Sequence, residues 1–293
     1  MSPTAMLLAA LVLISVAFCA FWEVAVRARR PIGPASPGLV RAGIGFIANF
    51  FDTLGISSFA TTTTMLRMRG LVDDVVIPGT LNVGHFLPTV AQALIYITIV
   101  EVEFTTLALL ILAAVGGSWI GAAIVAGLNR RAVQRGMGVA LVIASVLLVL
   151  SALGRLPGGG VALGLEGPKL VLAIGINFVL GALMTLGIGL YAPCMIMISL
   201  LGMNPAAAFP VMMGSCAFLM PTAGIQFITK RKYDLRAALG LALGGIPAVL
   251  IAAYIVRSLP LLYLRWLVVV VVLVTAVSLL RSAAAAPQPA SSV

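Results

Sequence analysis

Two ionisable side chains lie inside long apolar segments of this sequence and are the first candidates for chemistry. Asp52 falls within residues 38–66, and His85, the only histidine of the 293 residues, falls within 77–98. An ionisable group in hydrocarbon costs about 3 kcal/mol or more, so such residues are functional candidates by default. Because histidine titrates near neutral pH, we predict that Asp52 or His85 carries a coupling proton. The alternatives are a helix cap for Asp52 and a helix–helix hydrogen bond for His85.

Uncharged polar residues collect around two Thr-Leu-Gly-Ile sequences, residues 53–56 and 185–188. We expect each sequence to end one half-helix and begin another, whose free N–H groups and positive dipole end would favour an anion. The predicted substrate-binding residues are Asn49, Thr53, Ser57, Ser58, Thr61, Thr62, Asn82, Thr185, Gly187, Gly189 and Cys194. The alternative is that these small residues only allow close helix packing and that Cys194 acts as a small hydrophobe.

The composition excludes a soluble protein. Hydrophobic residues make up 62% of the chain and charged residues only 9%, whereas about a quarter of an ordinary globular sequence is charged. The net charge of +10 comes from basic residues between the apolar segments, where they indicate membrane topology and not nucleic-acid binding. Metal-ligand, nucleophile and phosphate-loop motifs are absent from the sequence, so we expect no enzyme, no cofactor and no metal.

The apolar segments predict a single all-α membrane domain, a bundle of transmembrane helices. They span about residues 5–24, 38–66, 77–98, 104–128, 135–153, 168–200, 205–228, 235–256 and 261–280. Runs of about 20 apolar residues match a hydrocarbon core about 30 Å thick. Residues 5–24 are predicted to be a retained extra helix, and the Ala-, Pro- and Ser-rich residues 282–293 a disordered tail.

The remaining chain is an internal duplication, with repeat 1 at residues 38–153 and repeat 2 at 168–281. At one constant offset, Thr53-Leu54-Gly55-Ile56 repeats as Thr185-Leu186-Gly187-Ile188. The same offset pairs Gly43, Ile44, Phe46, Ala60, Gly70 and Pro78 with Gly175, Ile176, Phe178, Ala192, Gly202 and Pro210. Matches over this length predict two copies of one structural unit.

The positions of the basic residues predict how the two repeats are oriented. Basic residues lie near residues 27–41, 130–135 and 230–236, whereas the loop with Glu101 and Glu103 carries no positive charge. If the basic loops face the cytoplasm, one of the two segments between residues 41 and 101 must enter and leave on the same side. Each repeat then has a broken or re-entrant helix and three spans, and the repeats are inverted. The alternative is full spanning by both broken segments, with parallel repeats.

The duplicated broken helices, each followed by a Pro-containing span, resemble those of the TauE/SafE family of sulfite exporters. The segment NFFDTLGISSFATTTTMLRMRGLVDDVVIPGTLNVGHFLP, residues 49–88, is similar to a subgroup of that family, and the resemblance covers about residues 38–281. It implies a secondary transporter that exports sulfite, sulfoacetate or a related organosulfonate across a bacterial inner membrane. Its partners would be this anion, protons and membrane lipid, and the sequence leaves its oligomeric state open.

Three other functions are compatible with the same residues. One is a passive anion channel, and another is an importer of a small sulfur oxyanion such as thiosulfate. The third is a membrane subunit that does not transport and instead binds a partner, although the chain lacks a sizeable loop for such binding.

Overall fold

The structure is a computed structural model that describes residues 2–29, 36–55, 57–128, 155, 159–187 and 189–256. The predicted segments 135–153 and 261–280 and the predicted tail 282–293 lie outside the described residues. The helices are α1 (Pro3–Arg29), α2 (Gly38–Thr53), α3 (Ser58–Met68), α4 (Ile77–Gly84), α5 (Phe86–Ile99), α6 (Phe104–Val125), α7 (Gly167–Met184), α8 (Tyr191–Leu200), α9 (Ala208–Thr229) and α10 (Leu235–Val256).

The described residues form an all-α membrane protein, as predicted. Five of the described helical segments are long and apolar enough to cross a membrane: Pro3–Ala28, Phe104–Val125, Gly167–Met184, Pro205–Thr229 and Leu235–Ile255. Four of them carry exposed apolar side chains, which suits contact with lipid because lipid offers no partner for a polar group, whereas Pro205–Thr229 is largely buried in the bundle. The multi-pass membrane class is therefore confirmed at this level.

Two of the helical segments are interrupted in the same way. Between α2 and α3, Gly55 has a φ of +91°, and between α7 and α8, Gly187 has a φ of +95°. Left-handed backbone is strained for residues that carry a Cβ atom, so a glycine allows the chain to turn here. Both interruptions fall at the predicted Thr-Leu-Gly-Ile sequences.

The first interrupted unit brings its two ends to one end of the bundle. Ile44 near the start of α2 and Leu66 near the end of α3 share a buried cluster with Leu241 near the start of α10. Since both halves meet the same end of α10, α3 runs back beside α2. Four basic residues belong to the segments that meet here, which we call the arginine-rich end: Arg41 of α2, Arg67 of α3, Arg236 of α10 and Lys232 just before α10.

The second interrupted unit brings its two ends to the end of the bundle where α6 begins, whereas Ala123 near the end of α6 accepts a hydrogen bond from Lys230 on the arginine-rich side. The Lys169 ammonium, in the first turn of α7, donates a hydrogen bond to the Leu201 carbonyl just after α8, at 3.1 Å. The nearby loop hydrogen-bonds to the residues before α6, where Glu103 N–H donates to the Leu163 carbonyl at 2.8 Å. We call this the Glu103 end.

The closest helix pairs combine elements from the two halves of the sequence. Helix α2 packs along α10, and α6 packs along α7. A Cβ atom on Gly244 of α10 would overlap the Ala42 carbonyl of α2, and one on Gly117 of α6 would overlap the Phe178 carbonyl of α7. Such glycines let helix backbones approach closely, as in other membrane bundles.

One predicted segment, 77–98, is not a single helix. Helix α4 ends at Gly84 and α5 begins at Phe86, with His85 between them. Pro88 has no N–H to donate to the Gly84 carbonyl, which weakens the helix at this point. The interruption is confined to His85, since the Thr89 N–H still donates to the His85 carbonyl at 2.9 Å, and α9 accommodates Pro221 without a break.

Candidate functional site

Asp52 is the centre of a buried polar cluster at the first interruption. Its Oδ1 atom accepts a hydrogen bond at 2.5 Å from the N–H of Ser58, the first residue of α3. The carboxylate is 2% exposed, and it occupies the N-terminal end of α3, where the helix dipole favours a negative group. Asp52 Oδ1 therefore caps the start of α3, which is the alternative role considered for this residue.

The other carboxylate oxygen faces two side chains from elsewhere in the bundle. Gln92 of α5 donates its amide N–H to Asp52 Oδ2 at 2.9 Å. Tyr191, the first residue of α8, has its hydroxyl oxygen 3.0 Å from the same Oδ2. Tyr191 thus links the second interrupted unit directly to the acidic residue of the first.

The Tyr191 hydroxyl lies between two possible acceptors. Its oxygen atom is 3.0 Å from Asp52 Oδ2 and 3.1 Å from Gln92 Oε1. A phenol has one proton to donate and can also accept a hydrogen bond. Therefore Tyr191 can donate to an ionised Asp52, or it can accept from a protonated Asp52 while it donates to Gln92.

A chain of hydrogen bonds connects this cluster to His85. Gln92 also donates to Thr53 Oγ1 at 3.0 Å, and the Thr53 hydroxyl donates to the Asn49 carbonyl at 2.8 Å. His85 Nδ1 is 3.1 Å from Asn49 Oδ1, and His85 Nε2 is 2.9 Å from Thr62 Oγ1. All of these side chains are buried.

The contacts of His85 indicate which ring nitrogen carries the proton in the neutral ring. Asn49 uses its amide N–H to donate to the Gly45 carbonyl at 2.7 Å, so its Oδ1 atom faces His85 as an acceptor. His85 Nδ1 is then the protonated nitrogen, and Nε2 accepts from the Thr62 hydroxyl. Both ring nitrogens are satisfied without a positive charge, which fits the alternative of a helix–helix hydrogen bond.

The two interruptions touch each other. A Cβ atom on Gly189, just before α8, would overlap the side chain of Ser57, just before α3. A Cβ atom on Gly55 would lie 3.5 Å from the ring of Phe209, so the turn itself packs against α9. The N-terminal ends of the two half-helices are therefore neighbours in the interior of the bundle.

The second interruption lacks an acidic residue. Met184 stands at the repeat position of Asp52, and its sulfur atom contacts the Cys216 thiol at 3.4 Å. The residue before α8 is Leu190, whose apolar side chain offers no oxygen to cap the helix. The site is asymmetric, with a carboxylate at one half-helix and none from the matching position at the other.

Most of the predicted site residues lie near these contacts. Those joined in the hydrogen-bonded cluster are Asn49, Asp52, Thr53, Ser58, Thr62 and His85, and Ser57 and Gly189 form the contact between the interruptions. Cys194 is buried, and none of the hydrogen bonds of the cluster involves it. Gly187 supplies the left-handed turn.

Three other predicted residues have no hydrogen bond to this cluster in the described part of the chain. The Thr185 hydroxyl donates to the Ala182 carbonyl at 2.6 Å, and the Asn82 amide donates to the Pro78 carbonyl at 2.9 Å. Thr61 Oγ1 is buried without a partner among the described residues. Geometry alone thus gives Thr185 and Asn82 local roles within their own helices.

Three residues of the cluster are not among the predicted site residues. They are Gln92, Tyr191 and Tyr96, whose hydroxyl donates to the Thr53 carbonyl at 2.7 Å. An amide within the apolar segment around Gln92 and a tyrosine directly after the second Gly-rich turn were the available signals. Both residues can be assigned to the cluster only when the packing of the helices is known.

The cluster contains a carboxylate without a matching cation. Among the residues that the structure describes, no lysine or arginine forms an ion pair with Asp52. Its stabilisation comes from hydrogen bonds and from the start of α3. Comparisons of the chain with protein-family models, with curated proteins and with solved structures found no match.

Proposed function

We propose that this chain is a secondary transporter for a small sulfur-containing anion, similar to members of the TauE/SafE family. The observation that carries the proposal is the contact between two interrupted helices inside a membrane bundle. Non-helical backbone at membrane depth is tolerated where protein or a water-filled cavity surrounds it. Two half-helix starts that meet there, at Ser57 and Gly189, are suited to holding an anion.

The placement of the helix ends supports an inverted-repeat transporter. The first interrupted unit returns to the arginine-rich end, and the second returns to the Glu103 end. We therefore propose that both units are re-entrant and enter the membrane from opposite sides. The positive-inside rule then assigns the arginine-rich end to the cytoplasm of a bacterial inner membrane.

The helix packing favours a particular pair of moving bodies. Because α2 packs closely on α10 and α6 on α7, each interrupted unit is attached to a helix of the other repeat. Alternating access would then move α2, α3 and α10 against α6, α7 and α8. The Ser57–Gly189 contact and the Asp52–Tyr191 hydrogen bond lie between these two bodies.

The substrate class follows from the chemistry of the two half-helix starts. N–H groups and hydroxyls bind oxyanions through hydrogen bonds and partial positive charge, and the site has no need of a metal. The sulfur specificity, with sulfite, sulfoacetate or a related organosulfonate as the substrate, rests on the family resemblance.

Flux measurements with the purified chain in proteoliposomes test this function. We expect saturable movement of radiolabelled sulfoacetate or sulfite. A flux that stays linear in substrate concentration would instead indicate a passive channel, and no flux above protein-free liposomes would refute transport of these anions.

A pair of serines provides a matched control for the site. Ser57→Ala removes a hydroxyl from the contact between the interruptions, and a lost hydrogen bond to a charged group costs about 1.5–3 kcal/mol, or roughly tenfold or more in KM. Ser118→Ala removes a hydroxyl that contacts Thr222 between α6 and α9, at 2.8 Å. It should leave KM unchanged, and equal effects of the two substitutions would contradict the proposed location.

A further inference from the structure

We infer that Asp52 is the residue that couples anion binding to proton uptake, with Tyr191 as the residue that accommodates both of its protonation states. This inference rests on the proposed anion site and names the coupling group within it. His85 then has a positioning role, since it orients Asn49 and Thr62.

The Asp52 carboxylate lies where a substrate anion would affect it. Ionised Asp52 already places a negative group on the N–H of Ser58, at the start of α3. A substrate anion between the two interruptions would lie close to this carboxylate, because Ser57 contacts Gly189. Two negative groups at such distances repel strongly in a buried site. Protonation of Asp52 removes this repulsion and weakens its hold on the α3 start.

The protonated form of Asp52 also has a hydrogen-bond partner in Tyr191. A proton on Oδ2 turns Asp52 into a donor towards the Tyr191 oxygen at 3.0 Å. The Tyr191 proton can then point to Gln92 Oε1 at 3.1 Å. The Asp52 carboxyl thus keeps a hydrogen bond to Tyr191 in both states by rotation of a single hydroxyl, with no movement of the backbone.

Other titratable side chains lie close to Asp52. Among the described residues they are Tyr96 of α5, Tyr191 of α8 and Cys216 of α9. Tyrosine and cysteine ordinarily have pKa values above about 8, so these groups are neutral when a carboxylate titrates. His85 is satisfied as a neutral ring by Asn49 and Thr62. Asp52 is therefore the group of this cluster whose charge can change.

The second interruption shows that the acid is not required for the turn itself. Met184 occupies the repeat position of Asp52, yet the turn at Gly187 has nearly the same φ as the turn at Gly55. A carboxylate is present in only one of two similar turns. The coupling role explains this difference between the two copies, whereas a purely structural cap would be expected in both.

The test measures how sulfoacetate binding depends on pH in the purified full-length chain. The sulfonate and carboxylate groups of sulfoacetate stay ionised between about pH 5.5 and about pH 8, so the ligand's own charge is constant. If the anion binds only with Asp52 protonated, the apparent affinity of the wild type falls by up to about tenfold per pH unit above the midpoint. In Asp52→Asn, affinity should not depend on pH, and a proton gradient should no longer drive accumulation while exchange persists.

Two more variants keep the test decisive if Asp52→Asn fails to fold. Tyr191→Phe removes a donor to the ionised carboxylate, so the midpoint of the affinity profile should move to higher pH. His85→Gln should retain the wild-type slope with pH. A wild-type pH profile in Asp52→Asn, or an unchanged midpoint in Tyr191→Phe, would overturn the coupling role while leaving the transport function. Failure of the wild type to bind or transport sulfoacetate and sulfite would overturn the transport function itself.

Discussion

Substitution of Gly189 by alanine tests the contact between the two interruptions. The added Cβ atom would overlap Oγ and Cβ of Ser57, whereas it would lie 3.9 Å from Ser57 Cα, an ordinary contact distance. The clash therefore comes from the Ser57 side chain alone. Overpacking of this kind costs about 1–3 kcal/mol, and we expect Gly189→Ala to lower the free energy of unfolding by about this amount.

A double-mutant cycle isolates this clash. Ser57→Gly removes the two overlapped atoms, and glycine is tolerated before a helix at a cost of only a few tenths of a kcal/mol. The combination of Ser57→Gly with Gly189→Ala should therefore recover most of the stability lost in Gly189→Ala. We expect a coupling free energy of about 1–2 kcal/mol, within the usual range for residues in contact.

The assay is denaturant unfolding of the purified variants in detergent micelles, with transport measured in parallel. Gly43→Ala is the matched control, because a Cβ atom on Gly43 meets nothing within 4 Å. This control should be neutral or stabilising by up to about 1 kcal/mol, since alanine favours a helix. Strictly additive effects of the Ser57 and Gly189 substitutions would show that the interruptions do not touch, and the proposed site would lose its main support.

Three further substitutions give separate tests. Gly187→Ala should cost about 1–2 kcal/mol of unfolding free energy because Gly187 has a φ of +95°, and a neutral result in denaturant unfolding would contradict this turn. His85→Ala should cost about 1–3 kcal/mol because it leaves Asn49 Oδ1 and Thr62 Oγ1 without their partner; unchanged stability would refute these hydrogen bonds. Burial opposes ionisation of Glu103, but N–H groups at the start of α6 outweigh it and lower its pKa to about 2 from 4.5. The free energy of unfolding that ionised Glu103 contributes is therefore fully present above about pH 4.5 and is lost as pH falls towards about 2. Thermal unfolding of Glu103→Gln across this range should not show this loss of stability.

The sequence predicted the interruptions because their cause is local. A glycine within a Thr-Leu-Gly-Ile sequence ends a helix wherever the backbone must turn, and the duplication shows the same signal twice. The positions of Gly55 and Gly187 could therefore be predicted without knowing any neighbour. Asp52 and His85 were also visible, since charged side chains are rare in apolar segments.

The partners of these residues could not be predicted, because they depend on how helices pack. Gln92 and Tyr96 reach Asp52 and Thr53 from α5, and Tyr191 reaches Asp52 from a distant part of the chain. The break at His85 was missed for a related reason. Pro88 and Pro221 both lie in apolar helical segments, but only the first lies beside a helix break, so proline alone does not decide the outcome.

The pairing of α2 with α10 affects how the protein is made. Ribosomes release the chain from its N-terminus, so α2 and the polar turn after it leave the insertion machinery long before α10 exists. Until then, Asn49 and Asp52 lack the helix that later packs along α2. That packing is close, because a Cβ atom on Gly245 of α10 would overlap the Asn49 amide. Repeat 1 therefore stays incompletely packed in the membrane until α10 is inserted. Removal of α10 should make repeat 1 a substrate of quality-control proteases even though the sequence of repeat 1 is unchanged.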